Sequence, residues 1–181
     1  KYIISLLPGD GIGQEISKEA LKIINWLSKN TDLKFEINEE LVGGSSIDQF
    51  GSPLTDKTIQ KIKRSDAIIL GAVGGPKWEK LSFENRPERG LLKIRKELDL
   101  YANFRPALVF DSLINSSSLK PEIIQDLDIL IIRELTGGIY FGEPRGIENI
   151  DKKNQRGFNT LVYTTQEIER IAKVAFETAM T

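Results

Sequence analysis

Apolar and polar residues follow strand-like and helix-like spacings in turn along the first part of the chain. Residues 2–7 form a β-branched apolar run that predicts a buried strand, and residues 14–29 space their apolar side chains as a helix does. Residues 33–41 alternate apolar and polar positions, residues 55–64 return to helical spacing, and residues 66–71 form a second buried run. This order of strands and helices predicts an α/β sheet with helices on its faces.

The pattern continues with one further helix and two further strands. Residues 87–98 predict a helix with proline near its start, where the missing N–H group costs nothing. Residues 101–110 and 128–135 have the apolar content of strands. Residues 166–180 place apolar side chains on one face and predict an amphipathic helix.

Residues 143–157 interrupt this order because they are polar and charged without any periodicity. Aromatic, strand-like runs flank them at residues 138–141 and 158–163. We therefore expect an exposed hairpin with a mobile tip, or a protruding arm.

Composition limits the possible partners of the chain. Its 181 residues, 40% hydrophobic and 28% charged, predict one or two compact domains with a real core. A formal net charge of -1 argues against nucleic acid or an acidic membrane as partner. The chain has no cysteine, which excludes disulfides and thiolate metal sites, and no apolar run long enough to span a membrane. We expect a cytoplasmic protein. Because the chain begins at Lys1 without a methionine, we also expect a piece of a longer protein.

Two glycine-rich segments follow predicted strands. Gly9, Gly11 and Gly13 lie between the first strand and the first helix, where backbone N–H groups could approach a cofactor. Their spacing differs from the dinucleotide-binding fingerprint, so an ordinary tight turn is the alternative. Residues 71–78 follow the next buried run, and ligands of open α/β sheets bind beyond the carboxyl ends of strands. A flexible connection is the alternative for this second segment.

Three arginines on different elements are candidate ligands for an acidic substrate. Guanidinium groups bind carboxylates through two parallel hydrogen bonds, so Arg95, Arg105 and Arg133 together would suit a substrate with two carboxylates. For Arg95 and Arg105, a solvated surface charge is the alternative. Arg133 ends an apolar strand, and a half-buried arginine must find an anion, which favours a functional role.

Tyr140 and a pair of leucines complete the candidate chemistry. Tyr140 follows the turn at Gly137 and Gly138, and a phenol can donate a proton in a closed site. The alternative is an aromatic side chain that packs against a neighbour. Leu91 and Leu92 lie one turn before Arg95 and could form an apolar pocket beside it, unless they are core residues.

Four segments of the chain together resemble the isopropylmalate dehydrogenase family. They are Leu-Leu-Pro-Gly-Asp-Gly-Ile-Gly at 6–13, Gly-Ala-Val-Gly-Gly-Pro-Lys-Trp at 71–78, Arg-Pro-Glu-Arg-Gly-Leu-Leu at 86–92, and Arg-Glu-Leu-Thr-Gly-Gly-Ile-Tyr-Phe-Gly-Glu-Pro-Arg at 133–145. The resemblance implies an α/β fold with a mixed sheet, helices on both of its faces, and part of a second α/β domain with a protruding β arm. Residues 1–99 would begin the cofactor-binding domain and residues 100–181 the substrate and dimerisation domain, with the arm at about 136–163.

The resemblance also implies a reaction. Family members oxidatively decarboxylate 3-isopropylmalate to 2-oxoisocaproate with NAD, a step of leucine biosynthesis. They are about twice as long, so this chain resembles their N-terminal half and should be inactive alone. The alternatives are isocitrate, homoisocitrate, tartrate or malate dehydrogenases of the same family, or a non-catalytic fragment that binds a dicarboxylate. Leu91 and Leu92 favour isopropylmalate, because isocitrate enzymes have polar residues there.

Roles for individual residues follow from the same resemblance. Tyr140 would assist protonation after decarboxylation, and Leu91 and Leu92 would line the pocket for the isopropyl group. The substrate carboxylates would be bound by Arg95, Arg105 and Arg133. The residues expected at the NAD site are Ile12, Gly75, Pro76, Lys77, Trp78 and Glu88. A divalent metal, Mg²⁺ or Mn²⁺, would have its ligands in the half beyond this chain, and the arm would form a homodimer.

Overall fold

The computed structural model describes all 181 residues, from Lys1 to Thr181. They form two compact units, Lys1–Leu98 and Asp99–Thr181. The division lies next to the boundary expected at residues 99 and 100. The cofactor and substrate roles assigned to the two parts remain predictions.

The first unit contains a three-stranded parallel sheet in the order β2–β1–β3. Its elements are β1 (Tyr2–Gly9), α1 (Gly13–Asn30), β2 (Phe35–Glu39), α2 (Gly44–Phe50), α3 (Asp56–Ile62), β3 (Ala67–Ala72) and α4 (Glu88–Glu97). Short 3₁₀ turns lie at Pro76–Trp78 and Phe83–Asn85. All the strands and helices expected in this part of the chain are present. The sequence pattern missed α2, whose Gly-Ser-Ser start gives no helical signal.

Helices cover both faces of this sheet because neighbouring residues of β1 point in opposite directions. Leu7 joins the core cluster with Ile59 and Ile62 of α3 and Ile94 of α4. Leu6, on the opposite face, is 1% exposed, and α1 packs against β1 and β3. The central strand is therefore buried on both sides, as expected for a parallel α/β sheet.

The second unit contains two antiparallel strand pairs. Its elements are β4 (Ala102–Leu108), α5 (Pro121–Ile124), β5 (Asp128–Glu134), β6 (Gly146–Asn149), β7 (Gln155–Phe158) and α6 (Thr165–Ala179), with 3₁₀ turns at Asp111–Ser116 and Gly138–Tyr140. Strand β4 pairs with β5, and β6 pairs with β7. Helix α6 begins with a reciprocal capping box between Thr164 and Glu167 and packs against β5.

The expected hairpin is present, but its strands lie elsewhere than the sequence predicted. Its strands are the polar segments Gly146–Asn149 and Gln155–Phe158, within the stretch expected to be irregular. Residues 138–141, expected as a flanking strand, instead contain the 3₁₀ turn Gly138–Tyr140. Residues 159–163 are not in a strand either. The error arose because β6 is exposed along its whole length and β7 along nearly all of it, so no buried face imposes an alternating pattern.

The apolar face predicted for α6 is only partly covered. Ile171, Ala172 and Ala175 are half-buried, whereas Ile168 and Phe176 are 56% and 73% exposed. No helix of the chain is both long enough and apolar enough to cross a membrane.

Candidate active site

Arg133 and Tyr140 meet in a cavity of about 530 Å³ in the second unit. Nη2 of Arg133 donates a hydrogen bond to the hydroxyl oxygen of Tyr140 over 2.9 Å, and its guanidinium carbon lies 5.4 Å from the centre of the tyrosine ring. The cavity is also lined by Ile131, Ile139, Leu161 and Tyr163. Two predicted site residues therefore contact each other directly beside an apolar wall.

Arg105 lines the same cavity because of the strand register. It lies opposite Ile131, and Asn103 lies opposite Arg133, so both arginines point to the same face of the β4–β5 pair. Nε of Arg105 donates to Oδ1 of Asn103 over 2.7 Å, which orients the guanidinium group. The paired strands thus bring two cations to one face, where an anionic ligand could accept hydrogen bonds from both.

The turn that carries Tyr140 is fixed by Glu134, which the sequence reasoning did not identify. The Glu134 carboxylate accepts the backbone N–H groups of Thr136 and Gly137, each over 2.7 Å, and the Thr136 hydroxyl over 2.8 Å. Nη2 of Arg170, on α6, donates to Glu134 over 2.9 Å and also to the Thr136 hydroxyl. The only sequence signal was an acidic residue two positions before a Thr-Gly-Gly turn.

The charges of this network stabilise each other. Removal of the Glu134 carboxyl from solvent would raise its pKa, but the hydrogen bonds from Gly137, Thr136 and Arg170 outweigh that effect and hold the pKa below its ordinary value of 4.5. Burial would lower the pKa of Arg170, yet the Glu134 and Asp99 carboxylates outweigh that effect and raise the pKa above its ordinary value. Both groups are therefore ionised near neutral pH.

A second cluster lies at the carboxyl ends of the parallel strands, where Asp10 joins two glycine loops. Its carboxylate accepts the backbone N–H groups of Gly44 and Ser45 over 2.7 Å and that of Gly74 over 2.8 Å. Asp10 is 4% exposed, and its own N–H donates to the carbonyl of Ala72. Asp10 is therefore a buried link between segments that are distant in the chain.

Close approach to this cluster requires glycine at two positions. A Cβ atom on Gly74, whose φ is +101°, would lie 2.5 Å from Oε1 of Glu88. A Cβ atom on Gly44 would lie 2.3 Å from the ring of Trp78. Trp78 is held from its other side, because Nε1 donates to Oδ1 of Asp48 over 3.2 Å. The two loops therefore pack closely against the Glu88 and Trp78 side chains.

The structure brings several of the residues predicted for the cofactor together. Gly75, Trp78 and Glu88 line one cavity of about 100 Å³. Pro76 and Lys77 belong to the 3₁₀ turn that carries Trp78, and Nζ of Lys77 donates to Asp48 over 2.5 Å. Ile12 lies apart from this cavity, 66% exposed at the start of α1.

The remaining predicted residues lie together on α4 in the first unit. Leu91, Leu92 and Arg95 are each half-buried, and neither leucine belongs to the core cluster. Their exposure leaves apolar surface and a guanidinium group within one turn of the same helix.

The nucleotide cofactor and the divalent metal that are expected to bind differ in how well residues of this chain suit them. The loop at Gly74 and Gly75 exposes backbone beside the ring of Trp78, which suits part of a nucleotide cofactor. No group of three or more histidine, cysteine, aspartate or glutamate side chains in this chain could hold a metal ion. These 181 residues therefore do not fit a divalent metal on their own.

The first unit is a parallel α/β sheet with loops at the carboxyl ends of its strands, where α/β proteins commonly bind ligands. Residues 3–181 match the isocitrate/isopropylmalate dehydrogenase family, and the chain belongs to that family. It is 58% identical to the 3-isopropylmalate dehydrogenase of Pelagibacter ubique and 52% identical to that of Gluconobacter oxydans. These alignments cover 99% and 98% of this chain but 49% and 48% of the relatives. The chain thus spans about half the length of the curated relatives it matches.

Solved structures confirm the predicted fold class. The isocitrate dehydrogenase of Methylococcus capsulatus superimposes with a TM-score of 0.78 at 27% identity, over 99% of this chain and 48% of that one. A beta-decarboxylating dehydrogenase of Thermococcus kodakarensis superimposes with a TM-score of 0.65 at 27% identity, over 99% of this chain and 46% of that one. The α/β fold is that of isocitrate dehydrogenase-like proteins.

Proposed function

We propose that this chain is the N-terminal half of an enzyme that oxidatively decarboxylates 3-isopropylmalate with NAD in leucine biosynthesis. The observation that carries the proposal is the hydrogen bond from Arg133 to Tyr140, in a cavity that Arg105 also lines. Two guanidinium groups and a phenol on one face suit a small carboxylate substrate and a proton transfer. The name shared by relatives more than 50% identical supports the same reaction.

Tyr140 acts as the proton donor in this proposal. Oxidation of the hydroxyl-bearing carbon gives a ketone, the carboxylate β to that ketone leaves as CO₂, and the resulting enolate takes up a proton. The Tyr140 hydroxyl accepts its hydrogen bond from Arg133, so its own proton remains available to the substrate. The neighbouring guanidinium group also stabilises negative charge on the phenolate that forms.

Arg105 and Arg133 bind substrate carboxylates, and Arg95 does so from α4. The side chains of Leu91 and Leu92, half-buried and outside the core cluster, are available to an aliphatic substituent. A polar substrate such as isocitrate would leave a third carboxylate against apolar surface, at a desolvation cost. Isopropylmalate is therefore the preferred substrate in this proposal.

We propose that this chain would supply only part of the site for NAD, which would accept the hydride when bound. The contacting residues are Ile12, Gly75, Pro76, Lys77, Trp78 and Glu88. The half-buried backbone at Gly74 and Gly75 and the Trp78 ring, whose Nε1 donates to Asp48, support this assignment. The Mg²⁺ or Mn²⁺ ion belongs with residues beyond this chain, and no step is assigned to it here.

We also propose that the β6–β7 hairpin forms a homodimer of a cytoplasmic enzyme. The two strands pair only with each other, and a lone two-stranded hairpin is marginally stable in water. Ile147 and Ile150 are 74% and 64% exposed, which is apolar surface suited to a second chain. Neither nucleic acid nor a membrane is a partner in this proposal.

The direct test is NADH formation by the complete gene product with Mg²⁺ and 3-isopropylmalate. Isocitrate, tartrate and malate serve as substrate controls, and chelation of the metal should abolish turnover. Turnover that strongly prefers isopropylmalate supports the proposal. Binding of a dicarboxylate without any NADH would overturn it and favour a non-catalytic protein. The 181-residue piece alone should be inactive.

A further inference from the structure

We propose that Glu134 and Arg170 are positioning residues that hold the Tyr140 hydroxyl against Arg133. The hydrogen bonds of both residues go to the turn, to each other and to Asp99, and none goes to Tyr140. Their effect is transmitted through the backbone of the Thr136–Gly138 turn, which leads directly to Tyr140. The inference rests on the proposed function, because Tyr140 is the proposed proton donor.

The Glu134 carboxylate is fully engaged with this turn and with Arg170. Oε2 accepts the N–H groups of Thr136 and Gly137, while Oε1 accepts the Thr136 hydroxyl and Nη2 of Arg170. Four hydrogen bonds to a carboxylate that is only 7% exposed leave it little rotational freedom. The backbone at Thr136 and Gly137 is fixed as a result.

The opposite side of the turn is held as well. The N–H group of Gly138 donates to the carbonyl of Val162 over 2.8 Å. Gly138 has φ of +76°, and a Cβ atom there would lie 2.5 Å from the hydroxyl of Tyr163. The turn is thus confined between Glu134 and the segment at Val162 and Tyr163, and Tyr140 follows two residues later.

Strand geometry couples this network to the site. Arg133 and Glu134 are successive residues of β5, so their side chains point to opposite faces of the strand pair. Arg133 donates to the Tyr140 hydroxyl. Glu134 accepts the N–H groups of Thr136 and Gly137, in the turn that leads to Tyr140. The end of β5 therefore supplies both Arg133, which donates to the Tyr140 hydroxyl, and Glu134, which binds the turn before Tyr140.

Arg170 links Glu134 to α6, on which Arg170 lies, and to a second carboxylate, that of Asp99. Nη1 donates to Asp99 over 3.0 Å, and the guanidinium carbon lies 4.4 Å from the centre of the Tyr101 ring. Its Nε is buried without a hydrogen-bond partner, which costs stability. Nη2 is the group of Arg170 that reaches both Glu134 and the Thr136 hydroxyl.

A double-mutant cycle in the complete gene product tests whether Glu134 acts through Tyr140. Glu134→Gln presents an NH₂ group where a carboxylate oxygen accepted, so it opposes either the turn N–H groups or Arg170. We expect kcat to fall by about 10- to 100-fold, as for a small displacement of a reacting group, with KM nearly unchanged. In a Tyr140→Phe background the same substitution should cost almost nothing further, because the hydroxyl is already absent.

Glu19→Gln is the matched control, since Glu19 also forms an ion pair but is exposed on α1, away from every proposed site. It should leave kcat unchanged in both backgrounds. If Glu134→Gln does not fold, Arg170→Lys takes its place, because lysine keeps the charge but cannot bridge Asp99 and Glu134 with one planar group. Losses that multiply across the cycle would overturn the proposal and make the network purely structural.

A second measurement does not depend on turnover. With ¹³Cζ-labelled tyrosine, the Tyr140 resonance is assigned by its absence in Tyr140→Phe. We expect it to shift or broaden in Glu134→Gln and to stay in place in Glu19→Gln. An unmoved resonance would overturn the positioning role even in an active enzyme. A moved resonance in a protein without dehydrogenase activity would support the positioning role while refuting the proposed function.

Discussion

Nη2 of Arg133 lies 2.9 Å from the hydroxyl oxygen of Tyr140, which joins the end of β5 to the last residue of a 3₁₀ turn. A guanidinium group has no acceptor, so the tyrosine oxygen must be the acceptor in this bond. The phenolic proton is thereby directed away from Arg133. The direction of this hydrogen bond gives the two side chains different proposed roles, proton donation for Tyr140 and carboxylate binding for Arg133. Each role leads to its own prediction.

Tyr140→Phe should reduce kcat in the complete gene product while sparing substrate binding. The substitution keeps the ring and removes only the hydroxyl, so loss of a proton donor lowers kcat by about 10²-fold. KM and the melting temperature should change little, because the ring is already 38% exposed. The loss should appear in decarboxylation and tautomerisation rather than in hydride transfer. Steady-state kinetics check this, with Tyr2→Phe as the control at an exposed site. Normal turnover by Tyr140→Phe would reduce Tyr140 to a packing residue.

Arg133→Lys should raise KM more than it affects folding. Lysine keeps the charge but loses the planar fork, so a two-bond contact to a carboxylate becomes a single contact. A charge-assisted hydrogen bond contributes about 1.5–3 kcal/mol, which corresponds to about a 10- to 100-fold rise in KM. Arg64→Lys, at an exposed position, is the control. A large fall in melting temperature instead would make Arg133 a structural ion-pair residue.

The sequence predicted these two residues because local signals sufficed for them. Arg133 ends an apolar strand, and Tyr140 follows a glycine turn, so each carried its own evidence. Glu134 gave no such evidence, since its partner Arg170 is 36 positions away in the chain. Contacts of this kind depend on tertiary packing, which periodicity along one segment does not report.

The contrast between local signals and distant contacts also explains which strands and helices were predicted correctly. Strand β1 and helices α1 and α3 have buried faces, and their apolar spacing predicted them within one or two residues. Strand β6 is exposed throughout and was not identified as a strand. Its register is set by the turn, where Asp151 accepts the N–H groups of Lys153 and Asn154. The Asp-Lys-Lys-Asn sequence at 151–154 is a polar turn signal, but hydrophobic periodicity does not report signals of this kind.

Polar replacement of Leu91 and Leu92 should change substrate preference. The apolar contact of each side chain is worth roughly 1–3 kcal/mol of discrimination in an enzyme pocket. The double serine variant should therefore lose kcat/KM for isopropylmalate while sparing smaller malates. The double methionine variant conserves volume and hydrophobicity and should keep the parent's preference. Unchanged use of isopropylmalate by the serine variant would remove these residues from the pocket.

Shortening the hairpin should weaken the dimer without unfolding the body. Replacing residues 148–155 by a short turn removes half of β6, the tip and the first residue of β7, and this hairpin makes no ladder with β4 or β5. Multi-angle light scattering across a dilution series should show monomers at concentrations where the parent is dimeric. Serine at Lys152 and Lys153 changes only the tip and should leave the dimer intact. An unchanged dimer after shortening would place the interface elsewhere.

Asp10→Asn should loosen the glycine loops at the carboxyl ends of the parallel strands. The Asp10 carboxylate serves three backbone donors from two loops, Gly44 and Ser45 in one and Gly74 in the other. An amide has one acceptor oxygen, so its NH₂ group must face at least one of those N–H groups. A buried donor left unsatisfied costs about 1–3 kcal/mol, which chemical denaturation would detect.

Looser glycine loops should also lower the affinity for the proposed cofactor. Gly74 precedes the loop proposed to contact NAD, so Asp10→Asn should weaken NAD binding in a titration by protein fluorescence. Asp32→Asn, the same substitution at an exposed position of the first unit, should change neither stability nor NAD affinity. Lower stability with unchanged NAD affinity would mean that the Gly74 loop keeps its conformation without Asp10. Unchanged stability would mean that water replaces the carboxylate at all three donors, which a buried site that is 4% exposed should not permit.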